Sequence, residues 1–189
     1  MDVVLASKSP RRREILSRLI DDFIVEDSKI KEEVNQEMDP FMVPVTFAIA
    51  KAGEVSKRHP NDIVIGADTI VLFQNKILGK PKTKKEAKEM LSALSDNTHL
   101  VITGCAIYYK DKLRYFYETT SVHFNYLDEE TIDKYIETGS PMDKAGAYGI
   151  QDKKFNLVDY YDGDYDNIMG LPLSRLKKEL KDFLTQEGK

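Results

Sequence analysis

Ser7-Lys8-Ser9-Pro10-Arg11-Arg12-Arg13 sets two small hydroxyl side chains and four cations where a short apolar run ends. Ser9 before Pro10 reads as an N-cap followed by proline at the first helical position. All three arginines then fall in the first helical turn, where the macrodipole disfavours cations by about 0.3–1 kcal/mol each. An anion reverses that sign, because unbonded backbone N–H groups, hydroxyls and guanidinium groups together make a phosphate cradle. A solvated basic helix start is the alternative reading of the same residues. The Gly-rich loop ending Gly-Lys-Ser/Thr is not found, which argues against a P-loop ATPase.

A second candidate is Gly66-Ala67-Asp68-Thr69, between the β-rich runs Ile63-Val64-Ile65 and Ile70-Val71-Leu72-Phe73. An acid at the end of a core strand needs a cation, a metal or solvent, since burying its charge alone costs several kcal/mol. As a turn residue it would merely cap the strand. Gly79-Lys80-Pro81 offers a cation on a stretch that proline keeps extended. Asp143 to Gln151 (Asp-Lys-Ala-Gly-Ala-Tyr-Gly-Ile-Gln) has small residues that let backbone approach a ligand, and Gln151 can donate to and accept from a base edge. A structural loop fits that segment equally well. Lys51, between Ala50 and Ala52, reads by itself as a solvated cation, and Glu32 and Glu33 lie in a charged connection. Gly163 to Gly170 reads as an architectural turn.

The elements that must carry these residues alternate between β and helical patterns, which predicts an α/β fold. Val3 to Ala6 reads as a strand, Ile15, Leu16, Leu19 and Ile20 as one helix face, and Phe23 to Glu26 as a short strand. From Pro44, apolar Val45, Ala48, Ile49, Ala52 and Val55 recur at helical spacing. Gln74-Asn75-Lys76 marks a hairpin-like turn before Ile77-Leu78, and Ala87, Met90, Leu91 and Leu94 a further helix. Two long strands follow, Leu100 to Tyr109 and Tyr115 to Tyr126, with Phe116, Val122, Phe124 and Tyr126 on one face. Ile132, Tyr135 and Ile136 mark a helix stopped by Gly139, and Leu173, Leu176, Leu180, Phe183 and Leu184 an amphipathic helix.

The 189 residues suit one domain, and 28 Lys+Arg against 32 Asp+Glu lack the basic excess of a duplex-binding domain. Cys105 is the sole cysteine, which excludes an internal disulfide; in an apolar strand it reads as an inert core thiol. His59, His99 and His123 are scattered, against a zinc enzyme. The opening shows no signal-peptide pattern and no apolar stretch nears the roughly 20 residues of a spanning helix, so the cytoplasm is the expected address.

Together, five segments in order resemble the Maf proteins, a family of nucleoside triphosphate pyrophosphatases. They are Leu5 to Arg12, Ile65 to Thr69, Gly79-Lys80-Pro81, Asp143 to Gln151, and Met169-Gly170-Leu171-Pro172-Leu173. The resemblance implies one α/β domain over residues 1–189, with a mixed twisted sheet flanked by helices. It also implies two lobes with a central cleft, as in the inosine triphosphate pyrophosphatases. The implied reaction is hydrolysis between the α and β phosphates, with a divalent cation (Mg²⁺, Mn²⁺ or Co²⁺). By motif match Asp68 is the catalytic proton acceptor, and Arg12, Lys51 and Lys80 bind phosphate, with Ser7, Ser9, Arg13 and Lys144 beside them. Glu32, next to the similar Glu33, and Asp68 are the implied metal ligands. Arg11, Thr69 and Gln151 match the selectivity positions of the branch acting on dTTP and UTP, with modified pyrimidine triphosphates a further class. The branch acting on methylated guanine nucleotides carries other residues there, often acidic. One departure is Leu94-Ser95-Asp96-Asn97-Thr98-His99, where the family often has Leu-Ser-Gly-Arg before the histidine, so no role for that arginine carries over. The expected partners are the nucleotide and a second copy in a homodimer, with neither duplex nucleic acid nor membrane. The rival expectation is a nucleotide-binding regulator of cell division with little or no turnover.

Overall fold

A parallel ladder formed by two short strands and the start of a long one organises the first part of the chain. The computed structural model describes residues 1–31 and 38–187. In chain order the strands are β1 (Val3–Leu5), β2 (Ile24–Val25), β3 (Ile63–Phe73), β4 (Lys76–Leu78), β5 (Thr98–Tyr109), β6 (Lys112–Phe124) and β7 (Val158–Asp162). The helices are α1 (Pro10–Ser17), α2 (Met42–Ser56), α3 (Lys84–Leu94), α4 (Glu129–Glu137), α5 (Tyr165–Met169) and α6 (Leu173–Glu187). The sheet order is β2-β1-β3-β5-β6-β7, and β4 pairs with β3. β1 runs parallel to β2 and β3, whereas β3–β4 and β6–β7 are antiparallel, so the sheet is mixed as expected.

The chain forms two compact units. The first comprises Met1–Asp68, Thr103–Glu118 and the stretch from Tyr165 on; the second comprises Thr69–Ile102 and Thr119–Asp164. In the first unit the pleat sorts alternate residues to opposite faces. Leu5, Ile65, Ala67, Cys105 and Ile107 pack with Ile15 and Leu16 of α1 and Leu176 and Phe183 of α6. Val4, Ala6, Val64 and Ala106 pack with Ala48, Ala52 and Val55 of α2. Small residues let α2 lie close to this second face. A Cβ on Gly66 would stand 2.5 Å from the Ala48 carbonyl oxygen, and one on Gly104 would stand 2.3 Å from the Val45 amide nitrogen. Any larger side chain must push α2 away.

Several expectations are met in detail. Ser9 caps α1 with Pro10 in its first turn. Gln74 and Asn75 both take positive φ, 48° and 61°, in the two-residue turn that twists β3 into β4. Gly139, at φ 74°, follows α4. The Cys105 thiol is buried, and desolvation pushes its pKa up to about 12, as suits an inert core group.

Other expectations need correction. Gly66 to Thr69 is no interruption between two β runs: β3 continues through it, paired with β1 before it, with β4 after it, and with β5 in the sheet order. Asp68 therefore sits inside a strand, neither at its end nor in a turn. The helix expected from Pro44 starts at Met42, which keeps the proline in the first turn, where no intrahelical donor is lost. The turn expected at Gly163 to Gly170 contains α5, and β7 was not anticipated. Tyr126 lies past the end of β6 and is exposed.

Candidate active site

Ser7, just after β1, and Asp68, within the neighbouring β3, both lie past the point where the parallel ladder ends. Val3, Val4 and Leu5 register with Ile63, Val64 and Ile65, and the Ala6 amide donates to the Ile65 carbonyl at 2.8 Å. The chain then leaves β1 through Ser7 and enters α1, while β3 carries on to Asp68. Carboxyl ends of parallel strands are where open α/β sheets bind ligands.

Hydrogen bonds shape the turn between β1 and α1. The Ser9 amide donates to Ser7 Oγ at 3.3 Å, and Ser9 Oγ accepts from the Arg12 amide at 3.5 Å. Arg12 Nη1 donates to Ser7 Oγ at 3.3 Å, and its Nε donates to the Gly170 carbonyl at 2.8 Å. A guanidinium held at both edges has lost much of its rotamer freedom, so a phosphate would meet it already oriented. The Gly170 carbonyl is a contribution the sequence reading missed, having taken this region as architecture. Its only signal was the Met169 to Leu173 motif within the family resemblance. Arg13 is exposed and Arg11 half-buried, both on this first turn of α1.

Asp68 shares with Gly66 the strand face that looks onto α2, and Lys51 follows Ala48 on that helix by just under one turn. Lys51 Nζ donates to Asp68 Oδ1 at 2.6 Å. Both residues are buried, at 9% and 7% exposure. Lys51 is thus not the solvated cation that its sequence context suggested on its own.

The second unit holds Thr69, Lys80, Lys144 and Gln151. Thr69 is half-buried and Lys80 exposed, next to Gly79, whose carbonyl accepts from the Gly146 amide at 3.1 Å. Lys144 is 8% exposed; its Nζ donates to the Ser140 carbonyl at 2.6 Å and to Asp143 Oδ1 at 2.7 Å. Tyr148, within the same segment, is buried edge-on against His99 and Phe124. Burial raises the Tyr148 pKa, so its hydroxyl keeps its proton.

His99 Nε2 lies 2.8 Å from the Tyr148 hydroxyl, and its Nδ1 has no hydrogen-bond partner among the described residues. Burial lowers its pKa from 6.5 to about 4, with a smaller push from His123. The neutral ring in β5 is a core group. In the unfolded chain this imidazole takes up a proton near pH 6.5, whereas in the fold it stays neutral to about pH 4. Stability from this residue is therefore complete above pH 6.5 and is lost as pH falls toward 4, by on the order of 3 kcal/mol at the limit. Urea midpoints for wild type and His99→Gln between pH 7 and 4.5 should diverge, with the wild type falling further. Parallel curves would contradict this account.

Glu32 and the neighbouring Glu33 lie outside the described residues. Among the described residues no group of three or more His, Cys, Asp or Glu could hold a metal ion, and no helix is long and apolar enough to cross a membrane. A Mg²⁺-like ion does not require such a cage, since it commonly takes one or two carboxylates and completes its shell with water and substrate phosphates. The hard oxygen donors of Asp68 fit that class of ion.

A family model described as Maf-like protein matches residues 2–183. Curated relatives named dTTP/UTP pyrophosphatase include one from Bacillus anthracis, 47% identical over 96% of this chain and 95% of its own length. One from Bacillus cytotoxicus is 48% identical over 95% of this chain and 94% of its own. One from Bacillus mycoides is 46% identical, again over 96% and 95%. Among solved structures, a nucleoside-triphosphatase / dITP/XTP pyrophosphatase from Mycobacterium abscessus matches 82% of this chain and 92% of its own. At 14% identity and a TM-score of 0.40, that likeness carries no argument about substrate.

Proposed function

The chain belongs to the Maf-like family, and on that premise we propose that it hydrolyses dTTP and UTP to the monophosphate and pyrophosphate. Relatives of that name, 46–48% identical over 95–96% of the chain, support the substrate class. The observation that carries the chemistry is the buried Lys51–Asp68 pair, which joins α2 to the strand next to the Ser7–Arg12 turn.

Cleaving a phosphoanhydride requires water aligned with the α-phosphorus, a group to take its proton, and charge to meet the leaving pyrophosphate. Asp68, which accepts a hydrogen bond from Lys51 Nζ, is the proton acceptor in this reading. Arg12, with Ser7, Ser9 and the first-turn N–H groups of α1, is assigned to phosphate oxygens. Lys51 adds a compact cation next to the base, and Arg13, Lys80 and Lys144 supply further positive charge. Arg11, Thr69 and Gln151 are assigned to selectivity, with Thr69 and Gln151 reading the pyrimidine edge. A site built to hydrogen-bond rejects bases that leave its polar groups unpaired.

In this reading Asp68 and Glu32 would hold the divalent cation, which when bound would polarise phosphate oxygens. The setting is cytoplasmic, and the assembly is a homodimer of single two-lobed domains. The relatives' names do not favour the rival reading, a division regulator with little turnover.

A panel of dTTP, UTP, CTP, GTP and modified pyrimidine triphosphates with Mn²⁺ tests the assignment. Repeated turnover of dTTP and UTP with release of pyrophosphate is expected. Tight binding without turnover would favour the regulator.

A further inference from the structure

Gln151 lies between two residues tied to a single phenol, Gly149 through its backbone amide and Asp152 through its carboxylate. Tyr135 comes from α4, fully buried, and its ring tilts against Phe155. Its Oη donates to Asp152 Oδ2 at 2.6 Å and accepts from the Gly149 amide at 2.9 Å. Ser140 Oγ donates to the same Asp152 oxygen at 2.7 Å. Ser140 in turn accepts from Lys144 Nζ at its carbonyl and, at 3.1 Å, at its hydroxyl. The Asp152 amide donates back to the Gly149 carbonyl at 3.0 Å, and the Lys153 amide to the Gln151 carbonyl at 2.8 Å.

Gly149, two residues before Gln151, and Asp152, directly after it, are thus both bonded to Tyr135, and the Gln151 carbonyl is tied as well. Gly149 explains what the arrangement is for. A Cβ there would stand 2.7 and 2.8 Å from the two amide atoms of Gln151, and 2.8 Å from Lys144 Cε. The glutamine amide therefore lies over a bare backbone with the lysine stem alongside. Its direction depends on a backbone whose amide hydrogen is held by Tyr135. Burial and the bond to Asp152 both raise the Tyr135 pKa, so the hydroxyl remains a donor across the working pH range.

We infer that Tyr135 and Asp152 are specificity-positioning residues: their hydrogen-bonded brace aims the Gln151 amide and seats Lys144. The inference rests on the assignment of Gln151 to base reading. It names residues on α4 and after the Asp143–Gln151 segment to which neither the motif match nor the relatives assign a role.

The test compares kcat and KM for UTP and CTP in Tyr135→Phe, Asp152→Ala, Asp152→Asn and Gln151→Ala, with thermal melts of each. Tyr135→Phe keeps the ring and removes only the hydroxyl, so the packing on Phe155 survives. The expected result is a drop of about tenfold in the UTP-over-CTP ratio of kcat/KM, carried by KM for UTP rather than kcat. Asp152→Ala should match it, and Asp152→Asn, which still accepts from Tyr135 and Ser140, should restore most of the ratio. Should Tyr135→Phe fold poorly, the Asp152 pair decides by itself. If Gln151→Ala collapses the ratio while Tyr135→Phe and Asp152→Ala leave it intact, the brace is overturned and base reading stands. If Gln151→Ala leaves the ratio intact, base reading by Gln151 is overturned and the brace with it.

Discussion

Replacing Asp68 with Asn should lower kcat on UTP by about 100-fold or more, the usual scale for loss of a general base. The amide matches the carboxylate in shape and can still accept from Lys51 Nζ, which lies 2.6 Å away in the wild type. What it cannot do is take a proton. The loss should therefore appear in kcat, with KM for UTP changing far less, because Arg12 and the α1 turn remain where Ser7 and Gly170 hold them. Steady-state kinetics check this directly. Turnover within threefold of wild type would remove Asp68 from the mechanism.

The second large effect concerns the partner. Lys51→Met replaces a buried ammonium by an apolar chain of similar length and removes the cation that lies 2.6 Å from the 7%-exposed Asp68. Breaking a buried pair from one side typically costs about 3–5 kcal/mol, since the remaining charge has been taken out of water. Chemical denaturation should show a loss of that size together with loss of activity. The double variant Lys51→Met/Asp68→Leu separates the two causes. Exchanging both charges for apolar groups is often close to neutral, so much of the stability should return while activity does not. A double variant no more stable than Lys51→Met would mean that the cost lies in packing, not in the stranded charge.

Local signals in the chain were readable because they depend on few residues. The Ser9-Pro10 cap, the Gln74-Asn75 turn and the Gly139 stop each follow from the chemistry of adjacent positions. The strand β3 was misread at Gly66 to Thr69 for the opposite reason. Glycine and aspartate are poor strand formers, and the strand runs on through them in a sheet where β3 lies between β1 and β5, partners remote in sequence. Lys51 looked solvated because its burial depends on Gly66 admitting α2, a contact between helix and strand that no window of sequence contains. The Tyr135–Asp152 bond, seventeen residues apart, and the Gly170 carbonyl on Arg12, 158 apart, are invisible for the same reason. The candidate residues themselves came from motifs that match a family, and the fold then supplied their surroundings.

The central claim, that water attacks the α-phosphorus with Asp68 as its base, is open to one direct measurement. UTP is hydrolysed in H₂¹⁸O with the wild-type protein and both products are analysed by mass spectrometry. The account predicts one ¹⁸O atom in UMP and none in pyrophosphate. Label in pyrophosphate would place the attack on the β-phosphorus, and labelled orthophosphate would place it on the γ-phosphorus; either result would contradict the account.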